Sequence, residues 1–79
     1  MEHSHGMLRA IARNAAEGDY RDYALAEQAA MAMNLMLEST GRWQSTRPEM
    51  DALFEVLASE DHYLPEAFAA AAAELSKVL

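Results

Sequence analysis

Leu8, Ile11, Ala12 and Ala15 fall at i, i+3, i+4 and i+7, with Arg9 and Arg13 off that face. This spacing predicts a short amphipathic helix over residues 7–17, which Gly18 ends. A second, longer helix is expected over residues 20–40. Asp19 is placed to accept from its first amides as N-cap, Asp22 adds negative charge where the macrodipole favours it, and Gly41 supplies the C′ residue that ends it. At 1.5 Å per residue this element is about 30 Å long.

Thr46, Arg47, Pro48 and Glu49 have the T-x-x-E form of a capping box, in which the threonine receives the N3 amide and the glutamate reaches back. Met50, Leu53, Phe54 and Leu57 then line one face and Asp51, Glu55 and Ser59 the other, a third helix. Glu60, Asp61 and His62 break the pattern. Pro65 suits the first turn of a fourth helix, along which Phe68, Ala72, Leu75 and Leu79 share a face and residues 69–73 are all alanine. No β-type alternation, glycine-rich linker or internal repeat interrupts this order. The fold class expected is all-α, a small bundle of three to four helices over residues 7–79, assembled as a dimer and preceded by a flexible terminus at 1–6.

The dimer expectation comes from the second helix. Residues 23–37 carry Glu27 as their single charge and crowd Met31, Met33 and Met36 into the second half. Two apolar stripes run side by side: Tyr23, Ala26, Ala30, Met33 and Leu37, and next to them Leu25, Ala29, Ala32 and Met36. One stripe is needed by the chain's own helices; the first is assigned to a homodimer interface across a two-fold axis, the commonest closed assembly. A compact monomer covering both stripes is the alternative. Asn34, with Glu27 and Glu38, forms a narrow polar seam that fixes register or faces solvent.

Length sharpens this demand. A chain of 79 residues is one domain and hides only about 60–65 % of the surface its unfolded form exposes. Small scaffolds of this kind need a staple or a second subunit. Cysteine is absent, which removes disulfides, thiolate metal sites and cysteine nucleophiles. The start lacks a basic leader and an apolar signal core, and residues 23–37 are too short and too polar to span a bilayer, so a cytoplasmic protein without membrane contact is expected.

Thirteen acidic residues against six basic ones give a net charge of -7. That balance disfavours direct nucleic-acid binding and favours either solubility or a partner with a basic surface. Trp43 between Arg42 and Arg47 gathers three interface-prone residues into one interhelical loop, and the carboxylates of Glu49, Asp51, Glu55, Glu60 and Asp61 form a candidate acidic face. Packing of Trp43 over the helix junction is the plainer account of the same residue.

The methionines of the second helix suit either core packing or an adaptable binding surface. At the amino terminus, His3 with the α-amine and two backbone amides, and His5 nearby, has the nitrogen set of a Cu(II) or Ni(II) site. That makes a small-ligand or transition-metal binder the alternative function. Glu60, Asp61 and His62 have the groups for a cation or a general base, although three adjacent residues do not point at one spot. No nucleophile elbow, P-loop, dinucleotide fingerprint or zincin motif occurs. An enzyme would need Tyr20, Tyr23, Asn34 and His62 to be assembled across a dimer. The expectation is therefore a non-enzymatic interaction module without cofactor: an accessory subunit, adaptor or inhibitor of a larger machine.

Overall fold

A computed structural model describes the backbone of residues 2–79 and the side chains of residues 6–79. Four α-helices follow one another: α1 (Glu2–Glu17), α2 (Tyr23–Ser39), α3 (Arg47–Val56) and α4 (Pro65–Val78), with a 3₁₀ turn at Glu60–His62. All regular structure among the described residues is helical, within principal extents of 37 × 21 × 19 Å. The most extensive contact is α1 along α4. An Arg9 guanidinium N–H donates to the Leu79 carbonyl at 2.9 Å, and Tyr20, just past the end of α1, meets Phe68 near the start of α4, so the two helices run antiparallel. The other side of α4 holds α3, while α2 lies against α1 and, more narrowly, α3.

Each helix turns its expected stripe inward. Leu8, Ala12 and Ala15 of α1, Met50 and Leu53 of α3 with Leu57 just beyond it, and Phe68, Ala72 and Leu75 of α4 with Leu79 form one buried cluster. Ala12 and Ala15 of α1 and Ala72 of α4 are fully buried, and Phe68 is the largest fully buried side chain. Burying such a side chain contributes about 1.5–3 kcal/mol relative to exposure. No helix among the described residues is long and apolar enough to cross a membrane.

Three boundaries differ from the sequence expectation. Helix α1 begins at Glu2 rather than at residue 7. Helix α2 begins at Tyr23, capped by Asp22, whose carboxylate accepts from the Ala24 amide at 2.9 Å; Asp19 instead pairs with Arg21 in solvent at 3.2 Å. Helix formation at residue 20 is overridden by packing. The Tyr20 ring lies 5.3 Å from that of Phe68, and the Tyr20 carbonyl accepts from the Tyr63 hydroxyl. The capping box at 46–49 does not form. Thr46 is buried, and its hydroxyl donates backwards to the Arg42 carbonyl at 2.9 Å instead of capping α3.

The stripe assigned to a homodimer also receives a correction. Ala26, Ala30, Met33 and Leu37 are fully buried against the chain's own helices, and the Tyr23 hydroxyl donates to the Leu57 carbonyl. These four have no surface left to offer a second copy, and Tyr23 is half-buried.

Candidate interaction site at the Trp43 corner

The corner between α2 and α3 is built from its backbone upward. Gly41 adopts φ +73°, the left-handed conformation that glycine enters without steric cost. Its amide donates to the Glu38 carbonyl and the Arg42 amide to that of Leu37, the paired bonds of a Schellman motif. Residues 42–46 then turn once more, with the Thr46 amide donating to Arg42 O and the Met50 amide to Thr46 O, so the turn runs into α3 without a slack segment.

Trp43 rides on this turn, half-buried and packed against the core. Its indole Nε1–H donates to Asn34 Oδ1 at 3.1 Å, and the Asn34 amide nitrogen leans towards Glu38 Oε1 at 3.4 Å. One face of the indole carries the Arg47 guanidinium, 4.7 Å from the ring centroid, a separation at which the ring quadrupole attracts a cation. Arg47 in turn lies 3.7 Å from Asp51, one helical turn on. Beside the ring opens a cleft of about 400 Å³ walled by Glu38, Gly41, Trp43 and Gln44.

The structure brings part of the expected set together. Trp43, Arg47, Asp51 and Glu55 follow one another at intervals of four along one edge of the corner and α3. The carboxylates of Asp51 and Glu55 are exposed there, whereas Glu49 is half-buried on another side of α3, where it sits in the first turn. Glu60 and Asp61 lie in the 3₁₀ turn at the opposite end of the helix. Arg42 is half-buried and engaged, and the exposed Arg47 lies over the indole and near Asp51, so the tryptophan and two arginines are not a free cationic anchor. Asn34 and Glu38, which the sequence marks only as part of a polar seam, belong to the site. Their i, i+4 spacing was the available signal.

A second surface lies on α2. Opposite its buried stripe, Leu25, Met31 and Leu35 are 50, 55 and 65 % exposed, alongside Ala24, Gln28 and Ala32. The same helix therefore places Met33 in the core and Met31 outside. At its amino-terminal end this face continues into an open depression of about 770 Å³ whose walls include Asn14, Glu17, Gly18, Leu25 and Gln28.

Tyr20, Tyr23, Tyr63 and Phe68 make an enclosed aromatic corner on the far side of the bundle. Tyr23 and Tyr63 meet edge-on at 5.5 Å, and Tyr63 and Phe68 at 6.2 Å. Desolvation raises the Tyr63 phenol above its ordinary value near 10; the Tyr23 phenol is raised first by desolvation and then by the negative charge of Glu27 and Glu60. Of the groups an enzyme would have required, Tyr20 and Tyr23 are in this corner, Asn34 is at the Trp43 corner, and His62 Nδ1 faces Ser59 Oγ at 3.1 Å on the surface. His3 and His5 lie outside the residues whose side chains are described, and among the described residues no three acidic or histidine groups are gathered to hold a metal ion. Compared with models of known protein families, with curated proteins and with solved structures, the chain matches none of them.

Proposed function

We propose that this chain is a non-enzymatic helical interaction module, an accessory subunit, adaptor or inhibitor of a larger protein assembly. It pairs with a second copy through the outer face of α2 and presents the Trp43 corner to a different, basic protein. The observation that carries this reading is the outer face itself: the longest helix leaves Leu25, Met31 and Leu35 in solvent on the side opposite its core stripe. Contiguous apolar surface of this kind marks interaction sites in small proteins. The two-fold arrangement is favoured because a self-complementary strip needs no second gene product, and because a core built from 79 residues gains from further burial. The acidic flank supplied by Glu27 and Glu38 leaves the ends of the strip open to water.

Sedimentation velocity over a range of concentrations tests this. A dimer is expected whose dissociation is promoted by Leu35→Glu and Met31→Glu, with helicity retained because both side chains are exposed. A monomer at all concentrations, or a dimer indifferent to both substitutions, would remove the α2 face from the proposal.

A further inference from the structure

The cleft beside Trp43 has a chemistry of its own. Its walls are an indole, a carboxylate, an amide side chain and bare backbone at Gly41, where a Cβ would meet nothing within 4 Å. Arg47, whose guanidinium lies over the ring, is not among the residues that wall the cleft. The ring cannot turn away easily, since Asn34 holds its Nε1 edge and Arg47 lies on it. Asn34 also inclines the Glu38 carboxylate towards the same edge.

A fixed aromatic surface with an exposed carboxylate beside it is half of a cation-binding cage. Planar guanidinium fits this arrangement better than ammonium: it stacks on a ring while directing its N–H groups sideways to a carboxylate or amide. We infer that the cleft receives an arginine side chain from the partner protein, its guanidinium stacked on Trp43 and paired with Glu38. The inference rests on the interaction-module reading and specifies the partner's chemistry.

Electrostatics over a longer range agree with that choice. The chain carries a net charge of -7, Asp51 lies 3.7 Å from Arg47 and offsets the cation already over the ring, and the neighbouring Arg42 is half-buried and engaged. Such a field speeds the approach of a basic partner, and the cleft then selects the group that docks. The charge logic of the corner is thus the reverse of what its arginines suggest in sequence: it accepts a cation rather than offering one.

Trp43 is the single tryptophan of the chain, so its emission reports on this cleft alone. The test titrates the full chain with a hexa-arginine peptide and with its hexa-citrulline counterpart, which keeps the planar shape but has a carbonyl oxygen in place of one amino group and no charge. Hexa-arginine is expected to change Trp43 emission saturably and hexa-citrulline to leave it unaltered. E38Q should weaken the effect about two- to fivefold, the range an exposed ion pair supplies, with an unchanged thermal melt. The triple variant E55Q/E60Q/D61N, which removes three negative charges away from the cleft against the one removed by E38Q, should still weaken it less than E38Q does.

The proposal is overturned by no emission change, by an equal response to hexa-citrulline, or by a triple variant that weakens the effect as much as E38Q. If calorimetry detects hexa-arginine binding while Trp43 emission stays constant, the cleft proposal fails and the interaction-module reading survives. The α2 interface is tested separately by sedimentation, so the failure of one is distinguishable from the failure of the other.

Discussion

Two corners of this bundle are built around aromatic rings and treat them differently. At the first, Tyr20, Tyr23 and Tyr63 close over Phe68, and the hydroxyls of Tyr23 and Tyr63 are bound to backbone carbonyls of distant segments. At the second, Trp43 gives its polar edge to a side chain, Asn34, and leaves part of its surface to an open cleft. A ring whose polar atom ends on backbone across 34 or 43 residues locks the fold. A ring whose partners are surface side chains has been positioned while remaining available. The contrast separates structural aromatics from a candidate binding residue without reference to any other protein.

The strongest way to break the contrast is Phe68→Ala. It empties the enclosed corner and should cost about 3–5 kcal/mol, enough to leave much of a chain this small unfolded in a denaturant titration. Gly41→Ala forces an L-residue into the left-handed region and should cost about 1–2 kcal/mol; chemical unfolding would register it, and an unchanged midpoint would mean that the Schellman turn does not hold the Trp43 corner. Tyr63→Phe removes one interhelical hydrogen bond and should lose about 1 kcal/mol, read as a lower thermal midpoint with unaltered hexa-arginine binding.

Alkali offers a gentler probe of the same corner. Folding favours the neutral phenols of Tyr23 and Tyr63, whose ionisation is raised above 10 in the folded chain. The unfolded chain therefore binds fewer protons there, and stability falls as pH rises. Their contribution is complete below pH 10, declines through the interval up to the raised values, and is lost beyond them; melting curves collected across that range should show the decline, flattened in Tyr63→Phe. The smallest effect expected is that of Asn34→Ala, which should shift Trp43 emission while changing the melt little, because the indole retains Arg47 and its core contacts.

Much of the enclosed region is legible in the sequence and little of the open one is. Periodicity placed Leu8, Ala12, Ala15, Met50, Leu53, Phe68, Ala72 and Leu75 on inward faces, because those helices have one apolar side each. Helix α2 defeats the same rule: being apolar almost all round, it shows two stripes without saying which is inside, and the Tyr23 to Leu37 stripe expected at a homodimer interface belongs to the core. The choice is made by the shapes of α1 and α3, which periodicity does not encode. Local capping signals failed where tertiary bonds outbid them: Asp19 lost to Asp22 once Tyr20 was held by Phe68 and Tyr63, and Thr46 turned its hydroxyl towards Arg42. At the Trp43 corner the residue types stood out in sequence, yet the parts played by Asn34 and Glu38 depend on the bend at Gly41 bringing α2 back against the loop.

The unbroken turn from Arg42 through Thr46 into α3 bears on how this chain can change over evolutionary time. One residue inserted after Trp43 would rotate α3 by about 100° and swing Met50 and Leu53 out of the interior. Descendants and cousins of this sequence should therefore keep the spacing from Trp43 to Met50 invariant, whatever their side chains have become.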